Sequence, residues 1–186
     1  MKHDILFMND KVVNSLVADD MKTVIDDIEK CLSLFDSGDV INPGKLVLRW
    51  GKSAEEENVS GRINAMPGYV GGEFNMAGIK WIGSGPNNYT KGLPRASVTV
   101  ILNDPDTKLP VAIADGTTVS AKRTGAVGGL AVKYLARKDA GTMLVCGAGA
   151  QGRTQLEAAL CERPTISEVF IYDLYFDRAE AFAKEM

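Results

Sequence analysis

Thr142-Met143-Leu144-Val145-Cys146-Gly147-Ala148-Gly149-Ala150-Gln151-Gly152 is the stretch whose reading decides the fold. Met143 to Cys146 is a short apolar run, predicted as a strand, and Gly147 to Gly152 follows at once in the spacing G-x-G-x-x-G. Thr154 to Leu160 suits a helix, and Val169 to Asp173 reads as a second strand ending in an acid. A lone G-x-G-x-x-G is weak, but strand, glycine turn, helix and acid-tipped strand in this order open a dinucleotide-binding unit. Gly147 permits the tight turn, Gly149 lets a pyrophosphate approach the backbone, and Gly152 allows close helix–strand packing. The helix N-terminus offers unpaired N–H groups and partial positive charge to phosphates. Asp173 is placed to accept ribose hydroxyls and to repel a 2′-phosphate, so NAD is expected over NADP. Arg178 is near enough in sequence to blur that preference. The competing reading is a glycine-rich turn with no cofactor.

Outward from this stretch, composition limits the alternatives. A chain of 186 residues can form one domain or two small ones. With 45% hydrophobic residues and a formal net charge of -3, it gives no ground for nucleic acid or an anionic membrane as partner. Cys31, Cys146 and Cys161 are scattered without metal-ligand spacing, so no metal site is expected and reduced thiols in a cytoplasmic protein are. The N-terminus lacks the apolar stretch of a signal peptide, and no run is long enough to span a bilayer. His3 is the only histidine, which argues against Ser-His-Asp or Cys-His catalysis; it reads as a terminal surface residue.

Asp19 to Phe35 carries Met21, Val24, Ile25, Ile28, Leu32 and Phe35 at helical spacing, with Gly38 as a stop. A core-facing helix explains this better than a partner-binding one. Lys45 to Trp50, Gly78 to Ile82, Ala96 to Leu102 and Pro110 to Ala114 read as strands. The turn chemistry of Asn103 to Lys108 makes the last two a hairpin, and Gly83 to Asn88 reads as a loop. Thr117 to Arg137 reads as a helix despite Gly125, Gly128 and Gly129. Each interior glycine costs about 1 kcal/mol relative to alanine, so close approach of a backbone or ligand is expected there. A domain boundary is expected near Asp139 to Gly141, dividing 1–139 from 140–186. The class is α/β: a mixed α/β N-terminal domain, then the start of a doubly wound parallel (Rossmann) sheet.

Three cations stand where solvated charges are not expected. Lys80 lies inside an apolar strand, Arg49 ends Leu-Val-Leu-Arg, and Arg123 falls within the glycine-bearing helix. Arginine binds a carboxylate through a planar fork and lysine as a point charge, so the set would suit an amino-acid carboxylate. The alternative is outward-facing charge: alternation puts Lys80 on the face opposite Ile79 and Trp81. Ser53 to Glu57 is acidic; it reads as a solvated loop, with contact to a cationic substrate as the alternative.

Lys80-Trp-Ile-Gly-Ser-Gly-Pro-Asn87, Gly92-Leu-Pro-Arg-Ala96, Ser120-Ala-Lys-Arg-Thr-Gly-Ala126, Lys133-Tyr-Leu-Ala-Arg-Lys-Asp-Ala140 and the glycine turn occur in this order. In this the chain resembles the ornithine cyclodeaminase/μ-crystallin family over nearly its whole length. The resemblance implies an N-terminal substrate and dimerisation domain, a Rossmann domain, NAD as cofactor and a homodimer. It implies that Lys80 and Arg123 hold the substrate carboxylate, with Arg123 also near the cofactor. Arg49 is the third member and Arg62, before Ala-Met-Pro, its competitor. By the same resemblance Ala150 and Gln151 touch the pyrophosphate and Asp173 the ribose. Arg95 stands on the cofactor side, where some members place a small hydroxyl residue. The family's catalytic aspartate is expected beyond Met186.

The implied reaction is oxidation of an amino acid at Cα to an imine. In a cyclodeaminase of ornithine, the δ-amine then closes the ring, ammonia leaves and proline forms while NAD is regenerated. Proximity favours that closure because both groups belong to one bound molecule. The alternatives are an NAD(P)-linked amino-acid dehydrogenase or imine/ketimine reductase, and a non-catalytic nucleotide-binding fragment.

Overall fold

The computed structural model describes residues 4–17, 20–53, 55–56 and 60–186. His3, Asp19, Ala54 and Glu57 lie outside the described residues. The chain is a mixed α/β protein that divides into two compact units. One is the chain up to Leu16 with Cys31–Thr118; the other is Val17–Lys30 with Val119–Met186.

The first unit is built on a seven-stranded sheet. Its strands are β1 (Leu6–Met8), β2 (Val40–Ile41), β3 (Leu46–Leu48), β4 (Arg62–Val70), β5 (Met76–Ser84), β6 (Ala96–Asn103) and β7 (Pro110–Asp115). The order is β1-β7-β6-β5-β4-β2, with β3 also on β4. Only β1 with β7 is parallel among these pairs. α1 (Asp10–Val17) follows β1.

The expected β6–β7 hairpin forms, and Asp104 shows why its turn is stable. Its Oδ1 accepts the Thr107 backbone N–H at 2.6 Å and the Thr107 hydroxyl at 2.7 Å. Lys108 closes the turn at φ 66°, and a register shift at Leu102/Asn103 absorbs the irregularity. The stretch read as a loop from Gly83 is more ordered than expected. β5 runs on to Ser84 because Gly83 and Ser84 pair on both sides, with Ile63 and Arg62 and with Ser97 and Ala96. A 3-10 turn over Pro86–Lys91 follows, ending at Gly92 in the left-handed region at φ 68°.

β4 is an element that strand patterning does not reveal, since Pro67 and Gly68 interrupt it. Pro67 is tolerated because it lies between the residues paired to β3 (Ile63–Ala65) and those paired to β2 (Tyr69–Val70). The ladder on that side is already broken where proline stands.

The second unit holds a parallel pair, β8 (Thr142–Cys146) with β9 (Glu168–Tyr172), and the helices α3 (Thr117–Leu135, from Val119), α4 (Ala150–Glu162) and α5 (Phe176–Glu185). The first part of α2 (Met21–Asp36) packs here too. Met21, Ile25, Ala126, Leu130 and Ala158 form one core cluster, joined by Val24 and Ile28 of the expected helical stripe. Val145, Leu156 and Phe182 form a second, lined by Met143, Val169 and Ile171 of the sheet. α4 therefore serves both cores, Ala158 facing α2 and α3 while Leu156 faces the strands and α5.

The three α3 glycines have the packing reason expected of them. A Cβ at Gly125 would sit 2.5 Å from the Thr154 carbonyl oxygen, and one at Gly129 3.0 Å from both Ala158 Cβ and Ile25 Cδ1. One at Gly128 would collide with Gln155, whose amide donates to the Thr124 carbonyl at 3.1 Å. α3 and α4 thus approach backbone to backbone. Arg163 fastens the C-terminal end of α3 by donating to the carbonyls of Val132 (2.8 Å), Lys133 (3.2 Å) and Ala136 (3.3 Å). The Val132 carbonyl also accepts the Ala136 N–H at 3.2 Å, and Arg163 adds a donor to the carbonyls at this end, where helical partners run out.

Candidate functional site

The candidate residues fall in two groups, one in each unit. Arg49, Arg62, Lys80 and Arg95 belong to the first; Arg123, Gly147–Gly152 and Asp173 belong to the second.

In the second unit the apolar alternation of β8 carries the chain to Gly147, which turns at φ 107°, a conformation L side chains rarely adopt. Its N–H donates to the Tyr172 carbonyl at 2.7 Å, extending the β8–β9 ladder into the turn. Gly149 stands at the N-cap of α4 with no side-chain cap, so the first-turn N–H groups of α4 keep their capacity to bind an anion. A Cβ at Gly149 would meet nothing within 4 Å, whereas one at Gly152 would strike the Gly147 carbonyl. The turn is thus open at Gly149, and close-packed at Gly152 where helix meets strand. These residues fit a pyrophosphate. Ala150 and Gln151 are exposed in the first turn of α4.

Asp173 follows β9 directly. Its Oδ2 accepts the Ala148 N–H at 2.9 Å and its Oδ1 the Tyr175 N–H at 3.0 Å. The acid at the strand tip is thereby tied to the glycine turn that lies far from it in sequence. Those two backbone bonds, first Tyr175 and then Ala148, hold its carboxyl below the ordinary aspartate range; the charge of Arg178 adds to this. Arg178 stacks on the Tyr175 ring, 4.7 Å from its centroid.

In the first unit, register decides what alternation leaves open for Lys80. Lys80 pairs with Met66 and Val100, so it shares a face with Asn64 and Arg62 on β4 and Val98 on β6. Asn64 and Val98 are buried, as is Ala112 on the same face, while Trp81 on the other face is exposed. Lys80, half-buried, therefore stands on the covered face and not with the outward charges.

Arg62 pairs with Ser84 and shares that face, and it lines a cavity of about 390 Å³ with Trp50, Ser84, Asn87, Lys91 and Ser97. Arg49 lies past the end of β3 and is exposed, and Arg95 is exposed before β6. Arg123 is exposed on α3, next to Lys122, which is buried and paired with Glu157 at 2.8 Å. The structure thus joins Ala148 to Asp173 and Gly147 to Tyr172 through hydrogen bonds and sets Arg62 on the face of Lys80.

Asn64 is a residue that sequence reasoning missed. It is 7% exposed, and its Oδ1 has no hydrogen-bond partner among the described residues. A buried acceptor without a donor costs about 1–3 kcal/mol, so this oxygen is a costly orphan on the Lys80 face. No charge or motif marks it in the sequence; only the register with β5 brings it beside Lys80. Among the described residues no His, Cys, Asp and Glu cluster could hold a metal ion, and no helix is long and apolar enough to cross a membrane.

A glycine turn joined to a strand-tip acid, on a parallel β8–α4–β9 unit, places the chain among the α/β proteins built to bind a dinucleotide. Comparison with known proteins narrows the class: residues 6–186 match the ornithine cyclodeaminase/mu-crystallin family, and the chain belongs to it. It is 33% identical over 183 residues to N-((2S)-2-amino-2-carboxyethyl)-L-glutamate dehydrogenase of Staphylococcus aureus, covering 98% of this chain and 54% of that protein. It is 37% identical over 177 residues to alanine dehydrogenase of Archaeoglobus fulgidus, covering 95% of this chain and 51% of that one. Among solved structures, Thermococcus litoralis Δ1-pyrroline-2-carboxylate reductase with NADH and L-proline is similar at TM-score 0.85 and 34% identity, over 97% of this chain and 53% of that one. The chain spans about half the length of the curated relatives it matches.

Proposed function

We propose that this chain supplies the substrate-binding and nucleotide-binding portions of an NAD-linked enzyme acting at the Cα of an amino acid. The observation that carries the reading is Asp173 hydrogen-bonded to the Ala148 N–H, beside an uncapped helix N-terminus open at Gly149. That is the geometry a dinucleotide's ribose and pyrophosphate require. NAD, when bound, supplies a hydride acceptor for Cα.

The remaining roles are played by side chains. Lys80 and Arg123 hold the substrate carboxylate, with Arg49 or Arg62 as third cation; the register of Arg62 with the Lys80 face favours Arg62. Ala150 and Gln151 contact the pyrophosphate, and Arg95 and Arg123 stand on the cofactor side. Residues 1–139 carry the substrate and dimerisation domain and 140–186 the opening of the nucleotide domain, with most of α3 and the start of α2 packing with the nucleotide part. The protein is read as cytoplasmic and as a homodimer; Leu46, Leu48 and Trp81, which are 73%, 53% and 46% exposed on one face of the sheet, support the second of these.

The specific reaction expected is conversion of L-ornithine to L-proline and ammonia. Amino-acid dehydrogenation is the second reading, favoured by the two dehydrogenase relatives. Stoichiometry separates the two. With L-ornithine and a small amount of NAD, cyclodeamination yields proline and ammonia in excess of NAD without net NADH. A dehydrogenase releases NADH one for one with its amino acid. Consumption of ornithine that is indifferent to NAD would contradict both.

A further inference from the structure

Asp173 and Arg178 place opposite charges at the tip of β9, and both are anchored on the same residue. The carboxylate cannot swing, because each oxygen accepts a backbone N–H, one from Ala148 and one from Tyr175. The Arg178 N–H donates to the Tyr175 carbonyl at 3.0 Å, and its guanidinium lies over the Tyr175 ring. Arg178 is exposed, and an exposed cation–π contact holds a guanidinium only weakly. Its attraction is also felt at the Asp173 carboxylate.

We propose that Arg178 is a second cofactor-selectivity residue: a latent anchor for a 2′-phosphate, kept out of use by the fixed charge of Asp173. The proposal rests on reading Gly147–Gly152 as a dinucleotide turn. A 2′-phosphate brings a charge of about -1.5 to -2 to the ribose position, where it meets the Asp173 carboxylate directly. Arg178 offers the planar donor fork that such a phosphate prefers. In the unmodified chain the Asp173 charge outweighs Arg178 and sets the preference for NAD. Once that charge is removed, Arg178 leaves the ring and binds the phosphate. Tyr175 serves as a positioning residue that keeps the guanidinium within reach.

The test is calorimetric measurement of Kd for NAD and for NADP with the unmodified chain, Asp173→Ser, Arg178→Ala and the double variant. In the Asp173→Ser background the proposal expects NADP to gain on NAD, and Arg178→Ala to weaken NADP by about tenfold or more while NAD changes by less than about twofold. Arg178→Ala removes an exposed side chain, so its folded state is expected to persist. If Arg178→Ala leaves NADP affinity unchanged in that background, or weakens both dinucleotides alike, the proposal is overturned while the nucleotide turn stands. If neither dinucleotide binds any of the four proteins, the reading of the turn falls and takes the proposal with it.

Discussion

Lys80 stands on a strand whose two faces differ, and it is found on the face that also carries buried Asn64 and Val98. A lysine there, at the centre of a sheet, is the cation proposed to meet the substrate carboxylate. Lys80→Met keeps the side-chain length and removes the charge. A hydrogen bond to a charged group is worth about 1.5–3 kcal/mol, so carboxylate substrate affinity should fall roughly 10- to 100-fold, with NAD affinity held within about twofold. Titration of the variant with each ligand checks this, and an equal loss of both would remove Lys80 from the substrate site. Asp173 carries a pH signature. Its folded pKa lies below its unfolded one because the Tyr175 and Ala148 N–H groups favour the carboxylate. Its contribution to stability is therefore complete above the unfolded value of about 3.9 and is lost as pH falls through the lower folded value. Urea midpoints measured from pH 6 downward should decline less steeply in that acid window for Asp173→Asn than for the unmodified chain.

At the scale of elements, α3 and α4 show how a costly residue becomes a necessary one. Gly125→Ala gains about 1 kcal/mol of helix propensity. The new Cβ would lie 2.5 Å from the Thr154 carbonyl oxygen, part of a backbone that has little freedom to move. Overpacking of this kind costs about 1–3 kcal/mol and outweighs the gain. The expected outcome is a Tm lower by about 2–6 °C in a thermal melt; a higher Tm would mean that the two helices do not approach as closely. The sequence reveals that these glycines need a close neighbour but not that α4 supplies it, because packing partners leave no local signature. The α2 stripe, the β6–β7 hairpin and the glycine turn are legible because their signals are local: periodicity, Asp104 turn chemistry, contiguous glycines. β4 is not, because Pro67 is acceptable only where the ladder is already interrupted, a fact of pairing between distant segments. Asn64 and the side taken by Lys80 are hidden for the same reason. Both depend on strand register, which the sequence of either strand alone does not carry.

For the whole molecule, an apolar stripe of Leu46, Leu48 and Trp81 lies uncovered on one sheet face. Sedimentation should find a dimer, and Leu46→Asp with Leu48→Asp should shift it to monomer with little loss of fold, since both side chains are exposed. A dimer unaffected by these changes would place the interface elsewhere. Membership of the family follows from residues 6–186, whereas the proposed chemistry rests on two groups of residues in separate units. Of the two, the nucleotide group anchors the account, since the substrate roles have meaning only if a dinucleotide binds. The most direct test is an amide NMR titration of the isotope-labelled chain with NAD. Saturable shifts are expected, concentrated at Gly147–Gly152, Asp173 and Tyr175, and lost in Gly149→Val, whose side chain would fill the open space over the turn. Shifts confined to other residues, or a Gly149→Val chain that binds NAD as well as the unmodified one, would contradict the dinucleotide reading.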